Sequence, residues 1–338
     1  MWLIQGMRSH WTAEDVLQLI QQFQPACVLA AAADLDLFDA LAHRPQSAAG
    51  LARMLDADMR GTAVLLDALV ALQLLAKRNG RYAVPGGVAA VLTHTGPQSV
   101  LAMVQHRANC LRRWAHLART VKTGRPAERR PSVRGAAADL AAYIGAMDNV
   151  SAPVADQVIM PLRTIPFRRL LDVGGASGTW TAAFLRLRPG ATAILFDLPD
   201  VIPLARQRLK AAGCLNRVTL VAGDFEKDSL PPGADLAWVS AIIHQHSRAQ
   251  NRRLFARIHR ALAPGGRIAI RDIIMAPDRT APVAGALFAV NMLVGTAAGG
   301  TYTLTEVSAD LAAAGFTGAR LVRRDEGMHS LVVARKPV

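Results

Sequence analysis

The sequence predicts an α/β chain: a mostly parallel sheet with helices on both faces, preceded by an all-helical domain with a small wing. Three observations carry this. From residue 166 onward, short apolar runs alternate with amphipathic segments, as repeated strand–helix–strand units require. The first of those runs ends in the glycine-rich turn Gly174-Gly175-Ala176-Ser177-Gly178. Before residue 165 the periodicity is helical, interrupted by one Asn79-Gly80 hairpin signal.

The first half opens with an amphipathic helix from Thr12 to Phe23, with Thr12 and Glu14 in its first turn and Pro25 ending it. A longer apolar helix, Ala26 to Leu41, follows, and Ser47 caps a short one from Ala48 to Leu55. Arg60 to Leu75 places Leu65, Leu69 and Leu72 on one buried face. Residues 75–84 then turn at Asn79-Gly80 as a hairpin, so the order is that of a winged helix. Such a unit either binds DNA or serves dimerisation. The candidate recognition helix offers Asp67 and a single arginine, poor chemistry for reading base edges. Lys77, Arg78 and Arg81 on the wing keep a ligand-responsive DNA-binding regulator as an alternative.

In the second half, strands are expected at Arg169–Val173, Ala193–Phe196, Val218–Val221, Leu236–Val239, Arg267–Arg271, Ala319–Val322 and His329–Ala334. Helices are expected at Trp180–Arg186, Val201–Ala212, Arg248–Leu262 and Leu304–Ala314. The link between the last two strands is too short for a helical crossover, so if neighbours they pair antiparallel. The expected domains are 1–100 (winged-helix-like), 101–165 (connecting helices lining an acceptor pocket) and 166–338 (the α/β domain).

The bulk numbers set bounds. At 338 residues and 51% hydrophobic content, the chain has enough apolar side chains for a sizeable core. A formal charge of +14 suits either an acidic partner or a solvated basic surface, and its densest run, Arg112 to Arg134, is broken by prolines. Cys27, Cys110 and Cys214 are far apart and form no zinc or disulfide pattern. No signal peptide is read at the N-terminus, and the apolar run Ala281–Thr296 is too short and broken for a membrane span. A cytoplasmic protein without a metal is expected.

The glycine turn follows a buried strand and opens a helix, where an open α/β sheet holds ligands. The G-x-G-x-x-G dinucleotide spacing fails, because Ala176 and Thr179 stand where glycines are needed, and no Walker lysine is present. Asp172 would repel a pyrophosphate but can orient a cationic amino-acid moiety. Asp197, followed by Leu198, lies at the next strand end, where an acid can accept from ribose hydroxyls. Asp224 can accept from an adenine amino group with Phe225 beside the base, although an Asx turn also explains Asp224. This set suits S-adenosylmethionine, which carries an ammonium and a sulfonium but no phosphate.

The runs Leu171-Asp-Val-Gly-Gly-Ala-Ser-Gly178, Phe196-Asp-Leu-Pro199, Gly223-Asp-Phe225 and Ala263-Pro-Gly-Gly-Arg267 resemble the plant-type O-methyltransferase family. Caffeic acid and acetylserotonin O-methyltransferases belong to it. The segment Val28 to Leu41 resembles the family's dimerisation domain. The resemblance implies a seven-stranded class I methyltransferase (Rossmann-like) domain, a winged-helix dimerisation domain and a homodimer. It implies methyl transfer from S-adenosylmethionine to a hydroxyl of a small aromatic or polyketide-like metabolite, with S-adenosylhomocysteine as product. Asp172, Gly174, Gly175, Gly178, Asp197, Leu198, Asp224 and Phe225 would hold the cofactor. Ser240 falls where many relatives place a cofactor-contacting lysine.

His244, in Ile243-His-Gln-His-Ser247, matches the family's catalytic histidine. A phenol of pKa about 10 is mostly protonated at neutral pH, so a positioned imidazole helps remove its proton. His246 is the candidate substrate-facing histidine. Gln245 and His246 replace the family's Asp and Trp, and the positions of two flanking glutamates fall on Thr301 and near Val333. An imidazole without carboxylate support is therefore expected, which leaves a SAM-binding fold with other chemistry as an alternative. Candidate acceptor-pocket walls are Tyr143, Met147, Asn149, Phe288, Asn291, Met292 and Tyr302; core packing is the competing account of them.

Overall fold

The computed structural model describes residues 10–338; the first nine residues of the expected N-terminal domain lie outside the described part. The chain divides into two compact units, one of residues up to Arg112 with Arg129–Asn149, the other of Arg113–Glu128 with Val150–Val338. The expected connecting segment 101–165 is thus shared between them.

The first unit runs α1 (Ala13–Gln21), α2 (Phe23–Asp34), α3 (Leu37–Ala42), β1 (Gln46–Ser47), α4 (Ala48–Met54), α5 (Met59–Ala71), β2 (Ala76–Arg78), β3 (Arg81–Ala83), α6 (Gly86–Leu92) and α7 (Leu101–Trp114), whose last residues, Arg113 and Trp114, belong to the second unit. Thr12 caps α1 in a capping box completed by Asp15. Pro25 sits in the first turn of α2, where its missing N–H is harmless. The single helix expected over 26–41 is two helices. Asp36 takes a left-handed φ of +50° between them, and the Gln105 amide fixes the break by donating to Ala33 O and Asp36 Oδ1, each at 3.1 Å. Helix α5 stops before Leu75 because Gln73 turns left-handed and the Leu74 and Leu75 N–H groups fold back onto Leu69 O.

The hairpin forms as the sequence implies, with φ of +48° at Asn79 and +71° at Gly80. β3 pairs with both β1 and β2. The wing's Lys77 donates to Asp67 on α5 at 2.7 Å, and the Tyr82 hydroxyl bonds the same carboxylate oxygen. That lysine is therefore tied to the candidate recognition helix. Phe38, Leu51, Leu66 and Leu69 form the core. The stretch Ala13–Asp34 is long and apolar enough to cross a membrane by length and composition, which the sequence reading had assigned to no segment. It leaves Val16, Leu17, Ile20 and Phe23 exposed, Ile20 at 65%.

Two further helices of the chain, α8 (Leu117–Thr123) and α9 (Ala136–Ser151), fall one in each unit. The second unit then runs α10 (Ala155–Ile159), β4 (Arg169–Val173), α11 (Thr179–Leu187), β5 (Thr192–Asp197), α12 (Ile202–Ala211), β6 (Val218–Ala222), β7 (Ala234–Ser240), α13 (Arg248–Ala261) and β8 (Leu262–Asp272). It ends with β9 (Ile274–Met275), α14 (Val283–Gly295), β10 (Tyr302–Thr303), α15 (Leu304–Ala313), β11 (Thr317–Arg323) and β12 (Ser330–Arg335). Seven strands make one sheet in the order β11-β12-β8-β7-β4-β5-β6. The five from β8 to β6 are parallel, while β12 runs antiparallel to both β8 and β11. β8 starts five residues before its expected position, at Leu262, because Leu262 pairs with Ala234 before a register shift to Leu236↔Arg267.

Both faces of this sheet are covered, as near-continuous apolar strands require. One face buries Leu171, Val173, Val239, Ile270 and Phe255. The other buries Leu170, Trp238, Ala269, Phe184 and Leu209. The strand order reverses at β4, flanked by β5 and β7, so the ligand crevice belongs at the carboxyl ends of these strands.

Candidate functional site

The turn after β4 is shaped by left-handed backbone at Gly174 (φ +67°), Ala176 (+47°) and Gly178 (+78°). The Gly174 N–H donates to Phe196 O at 2.8 Å, pinning the turn to β5. A Cβ on Gly174 would meet Ile242 Cδ1 at 2.7 Å and Phe225 Cε1 at 3.5 Å, so close packing as well as the positive φ excludes a side chain there. Gly175 serves packing instead: a Cβ there would lie 2.5 Å from Leu195 Cγ.

Asp197, at the end of β5, accepts from the Ala176 N–H at one oxygen and the Leu198 N–H at the other, each at 2.7 Å. Burial raises its pKa, and those two N–H groups oppose the rise. Each carboxylate oxygen keeps a lone pair for a ribose hydroxyl. Asp172 is differently placed. It is fully buried beneath the turn, accepts the Thr181 hydroxyl at 2.6 Å and is pushed by burial to about 7. It ties the start of α11 to β4 and reaches no open surface. Asp224 makes the Asx turn, accepting the Glu226 N–H at 2.9 Å. Lys227 and that N–H hold its pKa below the usual carboxylate range. Phe225 lies between Gly174 and His246, its ring centroid 5.7 Å from that imidazole.

β7 delivers His244 into a short 3₁₀ turn, Ile243–Gln245, at the carboxyl edge. The sequence expectation of an unsupported imidazole is wrong. His244 Nδ1 lies 2.9 and 3.0 Å from the two oxygens of Asp272, the last residue of β8, and both side chains are buried. The expected partner positions are otherwise filled: Thr301 and Val333 are buried and neither is acidic. An ionised carboxylate only accepts, so Nδ1 carries the proton and Nε2 keeps a bare lone pair. The Asp272 carboxylate also accepts the Ile273 N–H at 2.8 Å, which fixes its plane. Phe288 on α14 stands edge-on to the His244 ring, centroids 4.8 Å apart.

His246 turns the other way. Its ring meets Phe225, its Nε2 lies 3.3 Å from Glu226, and burial lowers its pKa. It packs on Phe225, whereas Phe288 packs on His244. The Tyr302 hydroxyl donates to His246 O, and burial lifts that phenol to about 12. Tyr302 and Met292 are both buried, and the Tyr302 hydroxyl is committed to the His246 carbonyl. Asn291, one helical turn beyond Phe288, has its Oδ1 held by Trp114 Nε1–H at 2.9 Å. Tyr143, Met147 and Asn149 lie on α9 in the first unit, where Tyr143 packs on His106 and Asn149 bonds backbone of Ser99 and Met103. Ser240 Oγ accepts from Arg271 Nη1 at 2.8 Å.

Sequence reasoning missed Asp272 and Arg271, the last two residues of β8. The available signal was an acid at a strand end, the same position that had singled out Asp197. The donor set fits S-adenosylmethionine. Carboxylates lie at the strand ends, and no basic residue occurs in the turn to pair a phosphate.

Comparison with known proteins agrees. Residues 114–317 match the O-methyltransferase domain model and residues 17–94 the O-methyltransferase dimerisation domain model. The chain is similar to the tetracenomycin polyketide synthesis 8-O-methyl transferase of Streptomyces glaucescens, 33% identical over 96% of each chain. It is also similar to the 3-hydroxy-5-methyl-1-naphthoate 3-O-methyltransferase of Streptomyces sahachiroi, 33% identical over 87% of each. Among solved structures, human N-acetylserotonin methyltransferase in complex with SAM matches with a TM-score of 0.77. It is 28% identical, and the match covers 98% of this chain and 100% of that one. The chain belongs to the O-methyltransferase family and is an S-adenosylmethionine-dependent O-methyltransferase.

Proposed function

We propose that this enzyme methylates a hydroxyl of a small aromatic or polyketide-like metabolite, with His244 as general base and Asp272 as its positioning partner. The buried His244–Asp272 pair at the carboxyl edge carries the reading. The polyketide and naphthoate acceptors named for the two Streptomyces relatives support the substrate class.

The cofactor, when bound, supplies a sulfonium-bound methyl group and leaves as S-adenosylhomocysteine. Gly174, Asp197, Leu198, Asp224 and Phe225 would hold its adenosyl part. Asp172 and Gly178 shape the turn from below. His244 Nε2 takes the acceptor's hydroxyl proton as the oxygen forms its new bond to carbon, and Asp272 stabilises the imidazolium that results. Phe288 presents an apolar wall beside the base, which suits a flat aromatic ring. Asn291, its carboxamide oriented by Trp114, offers an amide N–H₂ donor one turn along α14. The protein is proposed to be a cytoplasmic homodimer, joined through the exposed apolar face of α1 and α2.

The test is turnover on hydroxynaphthoates and hydroxylated polyketide aromatics, followed by mass spectrometry. A mass increase of one methyl group on the acceptor oxygen, lost in His244→Ala, is expected. An intact acceptor with consumed cofactor would reject methyl transfer, and unchanged turnover in His244→Ala would reject the base.

A further inference from the structure

Arg271 is a buried cation with no carboxylate in direct contact among the described residues; Asp272 and Asp325 favour its charge only from a distance. It is 2% exposed. Its Nε donates to His329 Nδ1 at 3.0 Å and its Nη1 to Ser240 Oγ at 2.8 Å. Its guanidinium lies 4.6 Å from the Trp180 ring centroid. Its Nη2 is buried with no hydrogen-bond partner, and no carboxylate forms an ion pair with it among the described residues. Asp272, its chain neighbour, points to the other face of the sheet and holds His244. Burial lowers Arg271 to about 10, so it remains charged at neutral pH. Burying an arginine without an anion costs several kcal/mol, more than a ring contact and two neutral partners return.

The place of this cation gives it a use. β4 and β7 pair Asp172 with Trp238 and Val173 with Val239, the residues that lead directly into Gly174 and Ser240. Ser240 in turn pairs with Arg271 on β8. Gly174, Ser240 and Arg271 therefore all lie at the carboxyl edge of three adjacent strands. Trp180, on which the guanidinium stacks, is in the first turn of the helix that the glycine turn opens. No lysine or arginine occurs between Gly174 and Phe184, so nothing in the turn can pair an anion. The cofactor has one anionic group, the carboxylate of its methionine part.

We infer that Arg271 and Ser240 together bind that carboxylate. Ser240 Oγ accepts the Arg271 N–H, which leaves the hydroxyl hydrogen free to donate outward from a partly exposed residue. The guanidinium supplies the charge from beneath Ser240, and the outward-facing donor is the Ser240 hydroxyl. This rests on the assignment of S-adenosylmethionine as cofactor.

The test is isothermal titration of the full chain, without acceptor, using S-adenosylhomocysteine and its decarboxylated analogue, which differ only in the carboxylate. Wild type should bind S-adenosylhomocysteine about 10- to 100-fold more tightly than the analogue, the scale of one hydrogen-bonded charge. Arg271→Met should abolish that preference by weakening S-adenosylhomocysteine alone, leaving the analogue within about twofold. Arg271→Lys should recover part of the preference, and Ser240→Ala should lose part of it. Equal affinities in wild type would overturn the inference without needing any variant to fold. Equal weakening of both ligands in Arg271→Met would make the residue structural and overturn it likewise. A wild-type chain that binds neither ligand would instead overturn the cofactor assignment.

Discussion

Replacing Asp272 with asparagine keeps the shape of the side chain but removes its charge and one of the two acceptor oxygens that fix the His244 tautomer. The two Nδ1–oxygen distances, 2.9 and 3.0 Å, make this a charge-assisted contact inside a buried site. A hydrogen bond to a charged group contributes about 1.5–3 kcal/mol, and tenfold in rate is about 1.4 kcal/mol. Loss of orientation alone therefore lowers turnover by about 10- to 150-fold. Asparagine can also donate N–H to Nδ1, which moves the imidazole proton to Nε2 and removes the base. The ceiling is then the whole contribution of base catalysis, roughly 10²–10⁴-fold. The assay is release of S-adenosylhomocysteine under saturating acceptor for wild type, His244→Ala, Asp272→Asn and the double variant, with cofactor affinity by titration. If Asp272 acts through His244, the double variant turns over about as fast as His244→Ala, because each change removes the same step. In His244→Ala the residual rate should climb with pH as the acceptor ionises unaided. Turnover of Asp272→Asn within about threefold of wild type, or effects of the two changes that multiply, would refute the positioning role.

Three further outcomes follow from the same geometry. Asp197→Ala should weaken S-adenosylhomocysteine binding by about 1.5–3 kcal/mol, read by titration; unchanged affinity would remove the ribose assignment. Asp172 has a folded pKa raised by burial from 3.8 to about 7, so the native state binds its proton more tightly than the unfolded chain. Its stabilising contribution is then present below about pH 4 and lost as pH rises through about 7. Melting of the ligand-free protein should show Asp172→Asn gaining on wild type by several degrees across that window, and a constant gap would contradict the shift. Ile20→Glu, on the exposed face of α1, should halve the mass seen by light scattering; a monomeric wild-type chain would exclude the dimer.

The sheet was legible because its signals are local. Arg169–Val173 was located to the residue, since an apolar run meeting glycines admits few alternatives. The Asn79-Gly80 wing was legible for the same reason. What escaped depends on partners distant in sequence. The break at Asp36 is fixed by Gln105, which no window around residue 36 contains. Asp272 supports His244 from 28 positions away, and only the pairing of β7 with β8 brings the strand ends together. Candidate walls such as Tyr302 and Met292 are hard to read for a different reason. An apolar or aromatic residue near a site looks the same in sequence whether it faces a ligand or the core.

Register on β8 converts this edge into two sites. Successive side chains of a strand point to opposite faces. Ile268 and Ile270 enter one core and Ala269 the other, so Asp272 follows the isoleucines and Arg271 follows the alanine. One face then holds the acid that orients His244, and the other holds the cation beside Ser240 and Trp180. A slip of one residue would exchange them, aiming arginine at the imidazole and aspartate toward the cofactor turn. The antiparallel β12 guards against that slip. It pairs with β8 residue for residue from Ser330↔Asp272 to Arg335↔Arg267, and its Leu331 and Val333 share the core that contains Ala269. The inserted antiparallel strand thus does more than close the sheet. By fixing which face each of two adjacent charged residues serves, it keeps the proposed proton removal and the proposed cofactor anchoring chemically separate on one strand end.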